Sequence, residues 1–341
     1  MSIKGDIIKE YFVKFPKTSA ATLSKVIYKD NKGAFKNVEA TRKRILYYQG
    51  KMGVKNRQGM ADNPYIKDST VIHNPYEKLP AEMRYYTDWS PFEIVSEKFL
   101  LLADLHAPYY HKESLILALK MGAREKVDTI LILGDLMDFY SVSFWEKDPR
   151  KRDIQNELNI TRQILNVMQT VMPNAKIIVK KGNHDERLER YIKVKAPELL
   201  ALEVLDFEHL LTYEGKKTDT ATYKDNLTVI GDNRIMKFGK LNLVHGHEFG
   251  RAISSPVNPA RGLYLRGKET AICAHHHRTS EHAETSMSST VCGTWSVGAL
   301  CDLHPEYLPM NKWNHGFAII EKSTKGNFRV YNKKIIKGEV Y

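Results

Sequence analysis

Apolar residues recur at helical spacing three times in the first fifty positions. Ile7, Ile8, Tyr11, Phe12 and Phe15 form one stripe of a helix expected over residues 3–15, which Pro16 ends because it cannot continue the hydrogen-bond ladder. Thr18 or Ser19 stands where it can cap a second helix carrying Leu23, Val26 and Ile27. After a loop at 30–33, the stripe Val38, Thr41, Ile45 and Tyr48 marks a third helix, ended by Gly50. The period then breaks. Gly53, Gly59, Pro64, Pro75, Pro80 and Pro91 punctuate residues 51–95, which read as a linker lying on a larger domain. From Lys98 onward, β-rich runs at 99–103, 129–133 and 176–179 alternate with helical runs at 114–124 and 154–172, the signature of an α/β domain. Further strand-like runs follow at 227–230, 241–244, 270–274, 290–297, 317–320 and 328–336. Two sheets packed together with helices outside accommodate both halves. The expected organisation is a helical domain at 1–50, the linker at 51–95 and an α/β domain at 96–341.

Length agrees with this division, since 341 residues exceed a usual single domain of roughly 150. With 42% hydrophobic and 27% charged residues, neither disorder nor a fibrous class is favoured. No apolar run approaches the roughly 20 residues that span a bilayer, and charges interrupt the first fifteen positions, so a cytoplasmic protein with no membrane partner is expected. Cys273, Cys292 and Cys301 lack CxxC spacing, which argues against a disulfide framework and a cysteine zinc site. Charge changes the picture more. Residues 1–60 hold 14 Lys/Arg against 4 Asp/Glu, a net of +10 out of +12 for the whole chain. Such a segment is drawn to polyanions, and nucleic acid is the expected partner. Three short helices with a basic third resemble a helix-turn-helix domain, whose recognition helix would span 37–49 and present Arg42, Lys43 and Arg44. The loop before that helix is longer than the motif's tight turn. The alternative for the same helices is a bundle that docks a partner or forms a homo-oligomer.

Candidate chemistry sits at the ends of the apolar runs. Asp104 and His106 follow the first, Asp135 the second, and Asn183 and His184 the third; His245 follows 241–244, and His275 and His277 follow 270–274. In α/β sheets, functional groups collect beyond the carboxyl ends of strands, so these residues can converge although distant in sequence. In Asp104-x-His106 and His275-x-His277, residues two apart at a strand end are expected to point to one side, and His276 away. Imidazole and carboxylate together suit Mn, Fe, Zn or Co, whereas Mg prefers oxygen ligands. Any one pair is an ordinary turn; five in order, each at a strand end, indicate a metal site.

The ordered blocks Asp104-x-His106, Gly134-Asp135-x-x-Asp138, Gly182-Asn183-His184-Asp185, His245-Gly246-His247 and His275-x-His277 resemble the signature blocks of the calcineurin-like metallophosphoesterase superfamily, over roughly residues 98–280. The resemblance implies a four-layer α/β/β/α sandwich and two divalent ions, with Mn the first choice. Asp104, His106, Asp135 and His277 would hold one ion; Asp135, Asn183, His245 and His275 the other, with Asp135 bridging. It also implies hydrolysis of a phosphate ester by water, with His184 as general acid kept protonated by Asp138. Three departures stand out. Ala274 replaces a usual glycine; Phe139 replaces the arginine that follows the second block in protein phosphatases; His247 competes with His245, which matches better.

Residues 182–191 and 295–317 are similar to a phage and bacterial subgroup described as resembling DNA-repair exonucleases. With the basic amino-terminal segment, this favours a nuclease. The alternative is a phosphodiesterase or phosphatase of small, cyclic nucleotides whose helical domain oligomerises. Arg187, Arg190, Arg251, Arg261 and Arg278 are further candidates for a phosphate, against solvated surface positions; the tail with His304, Trp313 and His315 is either structural or a substrate wall.

Overall fold

The computed structural model describes residues 3–60, 79–83, 89–144, 148–151, 153–213, 223–231, 233–250 and 257–341. The chain divides into two compact units, residues 1–85 and 86–341. In the first, α1 (Ile3–Lys14), α2 (Ala20–Asp30) and α3 (Val38–Tyr48) enclose Ile8, Phe12, Leu23, Ile27, Phe35 and Ile45, and a short α4 (Val54–Gln58) follows. The Ser19 hydroxyl caps α2 by accepting the Thr22 N–H at 3.2 Å, and the Asn37 side chain caps α3 by accepting the Ala40 N–H at 2.8 Å. Arg42, Lys43 and Arg44 are exposed on α3, where Arg42 pairs with Glu39 at 3.4 Å and the Arg44 guanidinium lies 5.5 Å from the Tyr47 ring.

The second unit runs β1 (Phe92–Glu93), β2 (Lys98–Leu102), α5 (Lys112–Arg124), β3 (Thr129–Leu133), α6 (Ile154–Val171), β4 (Lys176–Lys180), α7 (Arg187–Lys195), α8 (Phe207–Thr212), β5 (Leu227–Ile230), β6 (Met236–Phe238), β7 (Leu241–Leu243), α9 (Pro259–Gly267), β8 (Ala271–Cys273), β9 (Ser280–Thr285), β10 (Val291–Ser296), β11 (His315–Lys322), β12 (Phe328–Ile336) and β13 (Glu339–Val340). A seven-stranded sheet has the order β13-β12-β11-β2-β3-β4-β5, its β2 to β5 parallel. A six-stranded sheet has the order β1-β6-β7-β8-β10-β9. β1 lies within the stretch expected as linker and pairs in parallel with β6.

Alternation along each strand separates the layers. Phe99, Leu101, Leu131 and Leu133 face inward and meet Phe238, Leu243, Ile272 and Val297 of the other sheet. Leu100, Leu102, Ile130 and Ile132 face outward and are covered by Leu115, Leu119, Leu165 and Met168 of α5 and α6. On the opposite side α9 covers the six-stranded sheet through Leu263, which packs with Val244, Ala271 and Cys273. The result is the four-layer α/β/β/α sandwich. Burial on both faces is why the inner strands read as unbroken apolar runs such as Thr-Ile-Leu-Ile-Leu at 129–133. Among the described residues, no helix is long and apolar enough to cross a membrane.

Candidate metal centre

Strands β2, β3 and β4 are parallel neighbours, so the residues following them emerge at one edge, and β7 and β8 bring theirs from the second sheet. Asp104, His106, Asp135, His275 and His277 all have left-handed backbones, with φ of 50°, 48°, 53°, 66° and 53°. Left-handed non-glycine residues cost on the order of 1–3 kcal/mol each and persist where surrounding structure imposes them. This corrects the expectation from strand alternation. The chain curls at each strand end, and the two histidines of His275-x-His277 join different groups: His275 gathers with Asp135 and His245, His277 with His106 and Cys301.

Within the cluster, His245 Nε2 lies 3.3 Å from Asp135 Oδ2 and 4.0 Å from Asp104 Oδ1, while His277 Nε2 lies 3.5 Å from that same Asp104 oxygen. His106 and His277 face each other Nε2 to Nε2 at 3.2 Å. Their other ring nitrogens are engaged, His106 Nδ1 with Asp138 Oδ1 at 3.1 Å and His277 Nδ1 with the Cys301 sulfur at 3.8 Å. His245 Nδ1 donates to the Leu133 carbonyl at 2.7 Å, which aims the Nε2 lone pair into the cluster. Three buried atoms of the candidate residues have no hydrogen-bond partner: Asp104 Oδ1, Asn183 Oδ1 and His245 Nε2. Orphaned buried polar atoms are costly, and a cation beside Asp104 Oδ1 and His245 Nε2, 4.0 Å apart, would satisfy both. The donor set therefore fits metal binding. Burial alone would raise the Asp104 and Asp135 carboxyls, yet the surrounding imidazoles hold both below the usual carboxylate range. Against its own burial, Asp135 and Asp104 push His245 up to about 10, so a cation held there takes the place of the Nε2 proton.

A second layer fixes these groups. Asp138 Oδ1 accepts from His184 Nδ1 at 2.8 Å as well as from His106, and Arg187 donates to Asp138 Oδ2 at 3.2 Å and to its carbonyl at 2.8 Å. Arg187 also donates to His184 Nε2 at 2.9 Å. Asp138 thus lies where expected, but burial outweighs it and brings His184 down to about 4, so the ring is neutral in this arrangement. Two further carboxylates went unassigned in sequence. Asp185 accepts N–H groups of Met137 and Gly182, both at 2.9 Å, tying the second block to the third. Glu248 accepts the N–H groups of His245 at 3.1 Å and Gly246 at 2.6 Å, and pairs at 3.3 Å with the fully buried Lys180 at the end of β4. A lysine ending an otherwise apolar strand was the available signal.

The other candidates disperse. Arg190 pairs with Glu186 on the surface, Arg261 is exposed on α9, Arg278 is half-buried, and Arg251 lies outside the described residues. Phe139 is fully buried against Phe207 with a ring separation of 6.0 Å. His247, 3.8 Å from Glu186, stays beside the cluster rather than in it, and His276 packs on His275 with ring centroids 5.2 Å apart. His315 donates through Nε2 to the Cys301 carbonyl at 2.9 Å and stacks on His111; His304 donates to the Pro309 carbonyl; Trp313 lies 4.1 Å from the His277 ring.

Glycine at 134 is required on two counts. Its φ is +91°, and a Cβ there would overlap the His245 ring. Gly134→Ala is expected to displace His245 from the Leu133 carbonyl and weaken metal affinity about 10- to 100-fold, the range for losing a ligand's supporting bond. Competition against a fluorescent chelator measures this; unchanged affinity would remove His245 from the metal set.

The profile described as calcineurin-like phosphoesterase matches residues 97–297, more than half of the chain. The Gene 54 protein of Mycobacterium phage L5 is 24% identical over 238 residues, covering 66% of this chain and 89% of that protein. The Gene 54 protein of Mycobacterium phage D29 is 25% identical over 239 residues, with the same coverage. Among solved structures, Vacuolar Protein Sorting 29 from Cryptosporidium parvum aligns with a TM-score of 0.37 and 12% identity over 72% of this chain and 95% of that one. Matched by the family profile across all five sequence blocks, the chain belongs to the calcineurin-like phosphoesterase family, a family of metal-dependent phosphoester hydrolases.

Proposed function

We propose that this protein is a dinuclear phosphodiesterase that cleaves nucleic acid. The observation that carries the metal part is that Asp104 Oδ1 and His245 Nε2, both buried without a hydrogen-bond partner, lie 4.0 Å apart, with His245 Nε2 3.3 Å from Asp135 Oδ2. Asp104, His106, Asp135 and His277 would hold one ion and Asp135, Asn183, His245 and His275 the other, with Mn first and Fe, Zn or Co as alternatives. When bound, such ions supply water acidic enough to attack phosphorus near neutral pH and offset negative charge on the phosphoryl oxygens. Asp138 orients His184 through Nδ1 and stabilises the imidazolium. For His184 to protonate the leaving oxygen, its Nε2 must exchange Arg187 for a proton, and Arg187 remains held by Asp138.

The nucleic-acid part rests on the amino-terminal unit, with its net +10 over residues 1–60 and the exposed Arg42, Lys43 and Arg44 on α3. Exposed Ile3, Val13 and Phe15 on and after α1 favour the second reading, in which this unit oligomerises and the substrate is a small nucleotide.

Chelation should abolish hydrolysis, and Mn should restore it better than Mg; full activity after exhaustive treatment with EDTA would refute the metal reading. His184→Asn should retain metal yet slow cleavage of alkyl phosphodiesters about 10²- to 10⁴-fold. An activated aryl ester, whose leaving oxygen needs little protonation, should lose less; equal losses would exclude His184 as the acid. Reversing Arg42, Lys43 and Arg44 to Glu should weaken DNA binding and flatten its dependence on salt, by about 0.9 in log–log slope for each phosphate no longer neutralised. A changed assembly state in sedimentation with unaltered DNA affinity would favour the oligomerisation reading instead.

A further inference from the structure

The metal-ligand candidates lie beside aromatic side chains that neither the proposed ligand set nor the acid–base pair uses. Trp313 lies with its ring centroid 4.1 Å from that of His277, and Tyr307 meets Trp313 edge-on at 6.4 Å. Tyr307 is 71% exposed although it stands one ring away from a metal-ligand candidate. A second aromatic pair is tied to the same loops. Tyr109, three residues after His106, meets Tyr140 at 6.1 Å and is 39% exposed. These rings are positioned by the ligand loops themselves. The Tyr109 N–H donates to the His106 carbonyl at 2.7 Å, Asp302 N–H donates to the Tyr109 carbonyl at 2.8 Å, and Asn314 N–H donates to the His277 carbonyl at 2.9 Å.

Tyr and Trp rings at the edge of a charged centre offer flat faces on which an apolar surface can pack while their polar ends stay wet. A polynucleotide supplies such a surface on either side of every phosphodiester. In a duplex the base faces are already stacked on their neighbours; in a single strand they are free to stack on protein rings. We infer that Tyr307, backed by Trp313, stacks an unpaired nucleobase adjoining the scissile phosphate, so that the enzyme acts on single-stranded or frayed nucleic acid. This inference rests on the nucleic-acid reading proposed above and adds the strand state and the base-binding subsite. Tyr307 is a binding residue here; Trp313 braces it and the His277 ring together.

The test uses the full-length Mn-loaded protein and three dinucleotides: thymidine dinucleotide, and two versions in which a tetrahydrofuran abasic residue replaces the thymidine on one side or the other of the linkage. For wild type, kcat/KM should fall about 5- to 100-fold on one of the two abasic versions, the range expected for loss of one base stack. Tyr307→Ala should lose a similar factor on the intact dinucleotide and lose no more on that abasic version, because both changes delete the same stack. Tyr307→Phe, which keeps the ring, should behave as wild type. Losses that multiply when the variant meets the abasic substrate, or a wild type indifferent to both abasic versions, would overturn the subsite. Faster cleavage of a duplex than of the same strand alone would overturn the strand preference. If wild type hydrolyses bis-p-nitrophenyl phosphate but neither dinucleotides nor longer strands, the nucleic-acid reading itself fails, and this inference with it.

Discussion

Two carboxylates, Asp104 and Asp135, are buried at the ends of adjacent parallel strands, each raising the cost of ionising the other. Two negative charges in a dry interior demand compensation, and much of the architecture around them supplies it. His245 and His277 turn their Nε2 atoms toward the carboxylates, and the backbone at five ligand candidates is left-handed rather than extended. Glycine at 134 and 182 removes the Cβ atoms that would otherwise fill the space taken by His245 and Asp135. The inter-sheet core matters to function for the same reason: it fixes the two strand edges at the distance over which these short side chains meet.

Neutralisation also explains the second layer. Asp138, Asp185 and Glu248 coordinate nothing in the proposed ligand set, yet each anchors a loop that does, through imidazole N–H or backbone N–H groups. Asp138 is held far below the usual carboxylate range by His106 and His184 despite its burial. The fully buried Lys180 closes the circuit by pairing with Glu248, whose side chain is largely buried. A buried charge pair of this kind gives little net stability, but breaking it leaves an uncompensated charge, so it holds the His245 turn to one geometry.

The centre of the sandwich was legible because its inner strands are buried on both faces, so that the run 129–133 matches β3 end to end; the runs 227–230 and 328–336 also match β5 and β12, which are partly exposed. β1, β6 and β9 escaped notice because two strands of two and three residues carry no readable period and the third is largely exposed. Of the site, sequence order supplied the candidate positions, since residue type and strand end suffice for that. What it could not supply was direction. Strand alternation assumed an extended backbone at His275 and His277, whereas both are left-handed, and they fall into two groups as the resemblance implied. Nor could a pairwise view of Asp138 and His184 anticipate Arg187, whose guanidinium occupies His184 Nε2 and whose charge adds to burial in disfavouring the imidazolium.

Arg187 also bears on how a phosphate could be held. The position that carries an arginine in protein phosphatases is filled by the buried Phe139, and Arg187 is committed to Asp138 and His184. Arg190 is paired on the surface with Glu186. Among the described residues, two of the arginines considered for a phosphate, Arg187 and Arg190, are thus already engaged, and a small phosphate ester would gain few ion pairs from them. A long polyanion is less dependent on such contacts. On the proposed reading it gains affinity from the basic unit on the same chain and orientation from the rings of Tyr307 and Trp313. Binding energy drawn from parts of the substrate remote from the scissile bond can then position phosphorus among Asp135, His184 and the ligand histidines, where positioning sets the rate.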